Sequence, residues 1–196
     1  MLNVNIYTDG SVSGNGTPQA IGGWAVILQA IKHDSLYECC NCSYEGSLDK
    51  FEDTEYDGDV WGMCPECHSN AMLLPSQDTK TIVAEIEKYG KLTYEDDNCP
   101  VTNNRAEMYA VLRGLESVHK KCDITVYSDS ELCIKTLNGI YSRKNNTDLW
   151  KRLDDRCMEL KNMGCSIMFQ WVRGHDGNPF NERCDKLASK VKKGLI

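Results

Sequence analysis

Two cysteine pairs constrain this chain more than any other feature. Cys39-Cys40-Asn41-Cys42 and Cys64-Pro65-Glu66-Cys67 each show the C-x2-C spacing, with 21 residues between the pairs. Each such turn offers two thiolates, and two turns together can close a tetrahedral four-cysteine site of the structural-zinc kind. The stretch around them is rich in Cys, Asp, Glu and Gly and poor in aliphatic residues. It could not build a core alone, and bound zinc would supply its folding energy. The expected ligands are Cys39, Cys42, Cys64 and Cys67. Cys40 is the alternative to Cys39, His68 the alternative to Cys67, and iron the alternative to zinc. The other cysteines (99, 122, 133, 157, 165 and 184) are scattered and read as ordinary core or surface thiols. An odd total of 11 in a chain with no secretory signal argues against a disulfide framework.

The 196 residues suit one domain with an insertion. With 41% hydrophobic residues the chain can bury a core, and with 26% charged it reads as a soluble protein. No apolar run of about 18 residues exists, so no membrane span is expected. Met1-Leu2-Asn3-Val4-Asn5-Ile6 lacks a basic n-region and reads as a strand. The expected setting is the cytoplasm, and the expected state a monomer. Net charge is −7, which is awkward for a nucleic-acid binder. The distribution resolves much of this. Residues 30–100 carry 5 basic and 16 acidic side chains, and the remainder 17 basic and 13 acidic. The acidity belongs to the insertion, and the rest is mildly basic. The acidic run 52–59 would repel phosphates, which favours a protein-docking or purely structural role for the insertion.

Along the chain, Val4 to Asp9 alternates as a strand, with a turn expected at Asp9-Gly10-Ser11. Gly22 to Leu28 is a second strand. Residues 79–90 are ambiguous between helix and strand, and Leu92 to Asp97 is the expected third strand. Thr102-Asn103-Asn104 offers N-caps for a helix carrying Ala106, Tyr109, Ala110 and Leu115. Ile124 to Asp129 is a strand, Ser130 to Leu137 a short helix and Asp148 to Met163 an amphipathic helix. Ile167, Phe169 and Trp171 mark a final strand, and Asn181 to Lys193 a terminal helix. The order implies an α/β fold with a mixed sheet. The expected domains are 1–29 plus 90–196, with residues 30–89 as the inserted module. Crossover helices let the strands ending at Asp9 and Asp129 lie parallel, so that their C-terminal ends meet where open α/β sheets place their sites.

Asp9, Glu107, Asp129 and Asp185 would then converge. Four carboxylates at one sheet end repel each other unless cations neutralise them. Two ions about 4 Å apart can activate a water and stabilise the leaving oxygen of a phosphodiester. An oxygen-only ligand set favours Mg2+, or Mn2+, over zinc.

The local context of these acids is specific. Tyr7-Thr8-Asp9-Gly10-Ser11, Thr102-Asn103-Asn104-Arg105-Ala106-Glu107, Tyr127-Ser128-Asp129-Ser130, and Trp171-Val172-Arg173-Gly174-His175 with Asn181-Glu182-Arg183-Cys184-Asp185 occur in this order. Together they closely resemble the motifs of type 1 ribonuclease H, over residues 1–29 and 90–193. The cysteine segment resembles a zinc ribbon. The resemblance implies a ribonuclease H-like mixed five-stranded sheet flanked by helices, with the four-cysteine module inserted between strands 2 and 3. It implies endonucleolytic hydrolysis of the RNA strand of RNA–DNA hybrids by two Mg2+ ions, leaving 5′-phosphate and 3′-hydroxyl ends. It assigns the metal to Asp9, Glu107, Asp129 and Asp185, and proton transfer or product release to His175. Asn15, Asn103 and Asn104 match positions that touch the substrate in its minor groove, where amides can read 2′-hydroxyls. Thr102 and Asn146 fall where the family holds a DNA phosphate. Gly10, Ser11 and Ser130, inside the matching motifs, join them as substrate contacts.

Two departures stand out. Glu131 occupies a position where the family often has Gln. The segment Tyr141-Ser142-Arg143-Lys144-Asn145-Asn146 is too short for the basic handle of bacterial members, leaving Arg143 and Lys144 as stand-in phosphate contacts. A DNA-acting nuclease of the same fold, or a non-catalytic zinc-ribbon adaptor, are the competing readings.

Overall fold

The computed structural model describes residues 2–196, the side chains of Asp57, Asp96 and Asp97 excepted; Met1, read above as opening the first strand, lies outside them. In chain order the elements are β1 (Asn3–Ser13), β2 (Ile21–Cys39), β3 (Glu45–Ser47), β4 (Glu52–Asp57), β5 (Asp59–Met63), β6 (Asn70–Leu92), α1 (Tyr94–Asp97), α2 (Asn103–Glu116), β7 (Asp123–Ser128), α3 (Glu131–Leu137), α4 (Thr147–Asn162), β8 (Ser166–Trp171) and α5 (Pro179–Lys192). The chain forms two compact units. The first ends at Ala30 and resumes at Val83, and the second is Ile31–Ile82.

The first unit is a five-stranded sheet ordered β6-β2-β1-β7-β8. β7 runs parallel to β1 and β8 parallel to β7. Central β1 is buried on both faces, because helices cover both. On one face α2 and α4 bring Met108, Leu112, Leu115, Leu149 and Leu153 onto Ile6, Val26, Ile124 and Val126. Full burial of each such side chain contributes about 1.5–3 kcal/mol. On the other face α5 sets Cys184 and Ala188 against Tyr7, Ala25 and Ile27. Helices α2 and α5 have capped starts. The Thr102 hydroxyl accepts from Arg105 N at 3.3 Å, and the Asn178 amide oxygen accepts from Phe180 N and Asn181 N at 3.1 and 3.2 Å. Pro179 takes the first turn, where no N–H is needed.

The second unit is a small antiparallel assembly. β3 pairs with the end of β2, β4 with β5, and β5 with the start of β6. Its core is Cys39, Phe51, Cys64, Ala71 and Leu73, with Tyr44 edge-on to Phe51 at 5.7 Å.

Three expectations are corrected. No turn interrupts Asp9-Gly10-Ser11, because β1 continues to Ser13; only its ladder with β7 stops, at Thr8. Leu92–Asp97 is not the third strand. β6 ends at Leu92, and Tyr94–Asp97 is a short helical turn. The strand comes instead from the ambiguous stretch 79–90, whose almost continuous run of exposed side chains suits a sheet edge. The first unit therefore resumes at Val83 rather than at residue 90.

Candidate active site and thiolate centre

Asp9 and Asp129 follow the last paired residues, Thr8 and Ser128, of two adjacent parallel strands. Strand spacing places the backbones of Thr8 and Ser128 about 5 Å apart. Asp9 is buried, at 6% exposure, and Gly10 N–H donates to its Oδ1 at 2.8 Å. Glu107 arrives on the second turn of α2 because that helix crosses β1 at Gly10. A Cβ on Gly10 would lie 2.3 Å from both the Ala106 carbonyl carbon and the Glu107 nitrogen. Gly10→Ala must therefore push helix from strand. A loss of about 1–3 kcal/mol is expected, read as a melting temperature lower by several degrees in thermal denaturation. A wild-type melting curve would mean that this contact is not close.

Glu107 Oε1 accepts from Asn103 Nδ2 at 2.7 Å, and its other oxygen accepts from the Ser130 hydroxyl. Asp185 sits in the second turn of α5. The preceding Cys184 thiol donates to Tyr7 O at 3.3 Å and ties that turn to β1. Trp171 Nε1 donates to Asp129 O at 3.0 Å, and Val172 N to Ser128 O at 3.0 Å. The chain then passes so close that a Cβ on Gly174 would lie 2.7 Å from Asp129 Oδ2. His175 follows it, exposed and in the left-handed backbone region at φ 55°.

The acids act on one another. Burial, then the charges of Asp129, Asp185 and Glu107, hold the Asp9 carboxyl at about 8, although the Gly10 N–H favours ionisation. Burial also raises Glu107, against the Ser130 hydrogen bond, and Asp129 adds to the rise. An all-oxygen, mutually repelling, half-buried set of this kind fits hard divalent cations.

Beside the acids lies a groove of about 560 Å³ lined by Asn15, Thr102, Asn103, Asn104 and Asn146, together with Lys144 and Trp150. Asn15 Oδ1 accepts from Asn103 N at 2.9 Å, which pins the β1–β2 loop to the start of α2. Buried Arg105, unnoticed as a site residue in the sequence, organises the far wall. Its guanidinium donates to Asn146 Oδ1 at 3.2 Å and to both Asp148 oxygens at 3.0 and 2.6 Å. That pairing holds Asp148 below the usual carboxylate range. The Thr102-Asn103-Asn104-Arg105 run was the signal, but only packing shows which side chains point outward.

Gly10, Ser11 and Ser130 stand outside the residues lining the groove. Gly10 and Ser130 support the acids, and the Ser11 hydroxyl accepts from Lys192 Nζ. The two stand-in cations separate. Arg143 is ion-paired with Asp154 and lies over the Trp150 ring at 5.2 Å, whereas Lys144 lines the groove. The Glu131 charge is met by Lys135, and its carboxylate also accepts from the Tyr141 hydroxyl at 3.3 Å.

In the second unit the sulfurs of Cys39, Cys42, Cys64 and Cys67 all lie within 4.8 Å of one another. Cys39 Sγ is 3.7 Å from Cys67 Sγ, and Cys42 Sγ is 3.6 Å from Cys64 Sγ. The two turns repeat one geometry. Ser43 N donates to Cys39 O and His68 N to Cys64 O, both at 2.9 Å, with Ser43 at φ 60° and His68 at φ 54°. A Ser69 backbone N–H lowers the Cys67 thiol to about 6. Cys40 is exposed and points to Asn41 Oδ1 at 3.7 Å, so the cluster contains Cys39 rather than Cys40, and Cys67 rather than His68. This set can hold a metal ion, and four thiolates fit zinc.

The family model described as RNase H matches residues 75–193. Ribonuclease H of Lachnoclostridium phytofermentans is 43% identical over 107 residues, which span 47% of this chain and 65% of the relative. That of Polaromonas naphthalenivorans is 42% identical over 102 residues, 45% of this chain and 62% of the relative. In both, the chain spans less than two thirds of the relative's length. Ribonuclease H of Rhodospirillum rubrum is 29% identical over 213 residues, covering 100% of this chain and 89% of the relative. Among solved structures, LC11-RNase H1 in complex with RNA/DNA hybrid has a TM-score of 0.51 at 18% identity, covering 98% of this chain and 99% of that one. RNase H1 from Halobacterium salinarum has 0.52 at 22%, with 98% of each chain covered. These structures share the fold. With the family model spanning more than half of its residues, the chain belongs to the ribonuclease H family.

Proposed function

We propose that the chain hydrolyses the RNA strand of RNA–DNA hybrids at internal positions. The observation that carries this reading is the convergence of Asp9, Glu107, Asp129 and Asp185 on one ladder end, beside an amide-lined groove. Asp9, Glu107, Asp129 and Asp185 would hold two Mg2+ ions, with Mn2+ able to replace them. Bound there, the cations supply a nucleophilic water and charge for the leaving oxygen. The P–O3′ bond breaks, leaving 5′-phosphate and 3′-hydroxyl ends.

The chain's own residues position the substrate. Asn15, Asn103 and Asn104 offer amides to 2′-hydroxyls and base edges, which distinguishes RNA from DNA. Thr102, Asn146 and Lys144 face the same groove and suit a phosphate of the second strand. Exposed His175, on a loop resting against Asp129, can carry a proton to or from the scissile region. The four-cysteine set would bind zinc and hold residues 31–82 together.

Among the described residues no helix is long and apolar enough to cross a membrane. All 11 cysteines are free thiols. That supports a reducing, cytoplasmic setting, and a monomer is the working state.

The test is cleavage of an end-labelled RNA–DNA hybrid, with an RNA duplex and a DNA duplex alongside, with and without Mg2+. RNA-strand cutting in the hybrid alone, and only with Mg2+, is expected. Preferential cutting of the DNA duplex, or no cutting at all, would overturn the reading.

A further inference from the structure

The β4-β5-β6 sheet of the second unit covers only one of its faces. Alternation sends Val60, Gly62, Ala71 and Leu73 inward to the thiolate core, on the side where a Cβ added to Gly62 would meet Thr54, Leu73 and Phe51. The opposite face carries Trp61 at 42% exposure and Leu74 at 44%. Register places Trp61 directly between Glu55 on β4 and Met72 on β6, with Met63 opposite Glu52. An aromatic and aliphatic platform thus sits inside an acidic edge.

Among the described residues none of Glu52, Asp53, Glu55, Asp59 or Glu66 belongs to an ion pair. Residues 31–82 hold 3 lysines, no arginine and 11 acids. Such a field repels phosphates and anionic lipid and attracts cationic groups.

We propose that this face, centred on Trp61, Met72 and Leu74 and edged by Glu52, Glu55 and Asp59, docks a lysine- or arginine-rich segment of a partner protein. The Trp61 ring receives a cationic head, Glu55 across the strand pair neutralises it, and Met72 and Leu74 take the aliphatic stem. The inference rests on residues 31–82 being a zinc-held unit, so zinc content is measured on every preparation.

The probe is a fluorescein-labelled Arg-Val repeat peptide of about 12 residues, followed by anisotropy with the full zinc-loaded chain at low salt. Binding is expected. Trp61→Ala and Glu55→Lys should each weaken it at least about tenfold, with zinc content and melting temperature unchanged. Asp49→Lys, on the turn after β3, changes net charge equally and should weaken it less than about twofold. Absence of binding by a zinc-loaded chain would overturn the proposal. So would equal weakening by Asp49→Lys, which would reduce the effect to net charge. Zinc loss in the unsubstituted chain would instead indict the zinc-held unit.

Discussion

Asp9→Asn is expected to lower hybrid cleavage by at least about a thousandfold, a barrier increase of about 4 kcal/mol, while making the Mg2+-free protein more stable. Both effects come from one carboxylate. Asp9 is the most buried of the four acids and feels the other three, so its loss is expected to weaken binding of the proposed cations strongly. The same surroundings make its charge costly when no cation is bound.

Its carboxyl titrates at about 8 in the folded chain, against about 3.9 when unfolded. Between those values the folded chain holds more protons than the unfolded one, so stability falls as pH rises from about 4 to about 8. Asn removes that penalty. At pH 8 the variant should melt higher by on the order of 5 °C or more in Mg2+-free buffer. The difference should vanish near pH 4 and shrink in saturating Mg2+. Magnesium must be removed by dialysis, because a chelator would also attack the thiolate centre. Unchanged cleavage, or a variant less stable than the parent at pH 8 without Mg2+, would contradict this account.

Loss of the thiolate centre has the second large expected effect. The core of residues 31–82 is Phe51, Ala71 and Leu73 beside the thiols. So few apolar side chains cannot offset the conformational entropy of about 50 ordered residues, at roughly 1–2 kcal/mol each for the backbone. Structural zinc contributes about 10–16 kcal/mol of apparent binding free energy at neutral pH. The purified chain should therefore carry one zinc. Cys39→Ser or Cys64→Ser should release it and raise amide exchange across residues 31–82 by orders of magnitude. Cys40→Ser should retain both metal and protection. Zinc loss in Cys40→Ser, or an equally protected zinc-free chain, would refute the assignment.

The acids and thiols were legible because chemistry forces their neighbours. Asp9 and Asp129 each close a strand-like run, and two C-x2-C turns allow few geometries. Less legible were elements whose state depends on what packs against them. Residues 79–90 could be helix or strand until pairing with β2 decided it, and the apparent stop at Gly10 was a close approach to α2 rather than a turn. Arg143 and Lys144 are neighbours of equal charge. Asp154 and Trp150 engage one and leave the other to the groove.

The sequence by itself determined the two donor sets proposed for metal, oxygen at four carboxylates and sulfur at four cysteines, because side-chain type and spacing set what a site can hold. Tertiary structure alone decided how those carboxylates behave, and it chose between the neighbouring thiols Cys39 and Cys40, which the spacing had left as alternatives. The Asp9 carboxyl is raised by burial and by charges brought from β7, α2 and α5. Cys39 rather than Cys40 faces Cys67, because the turn sends one inward and the other to solvent. The Asp9 outcome depends on distances between residues far apart in the chain, which no local pattern encodes.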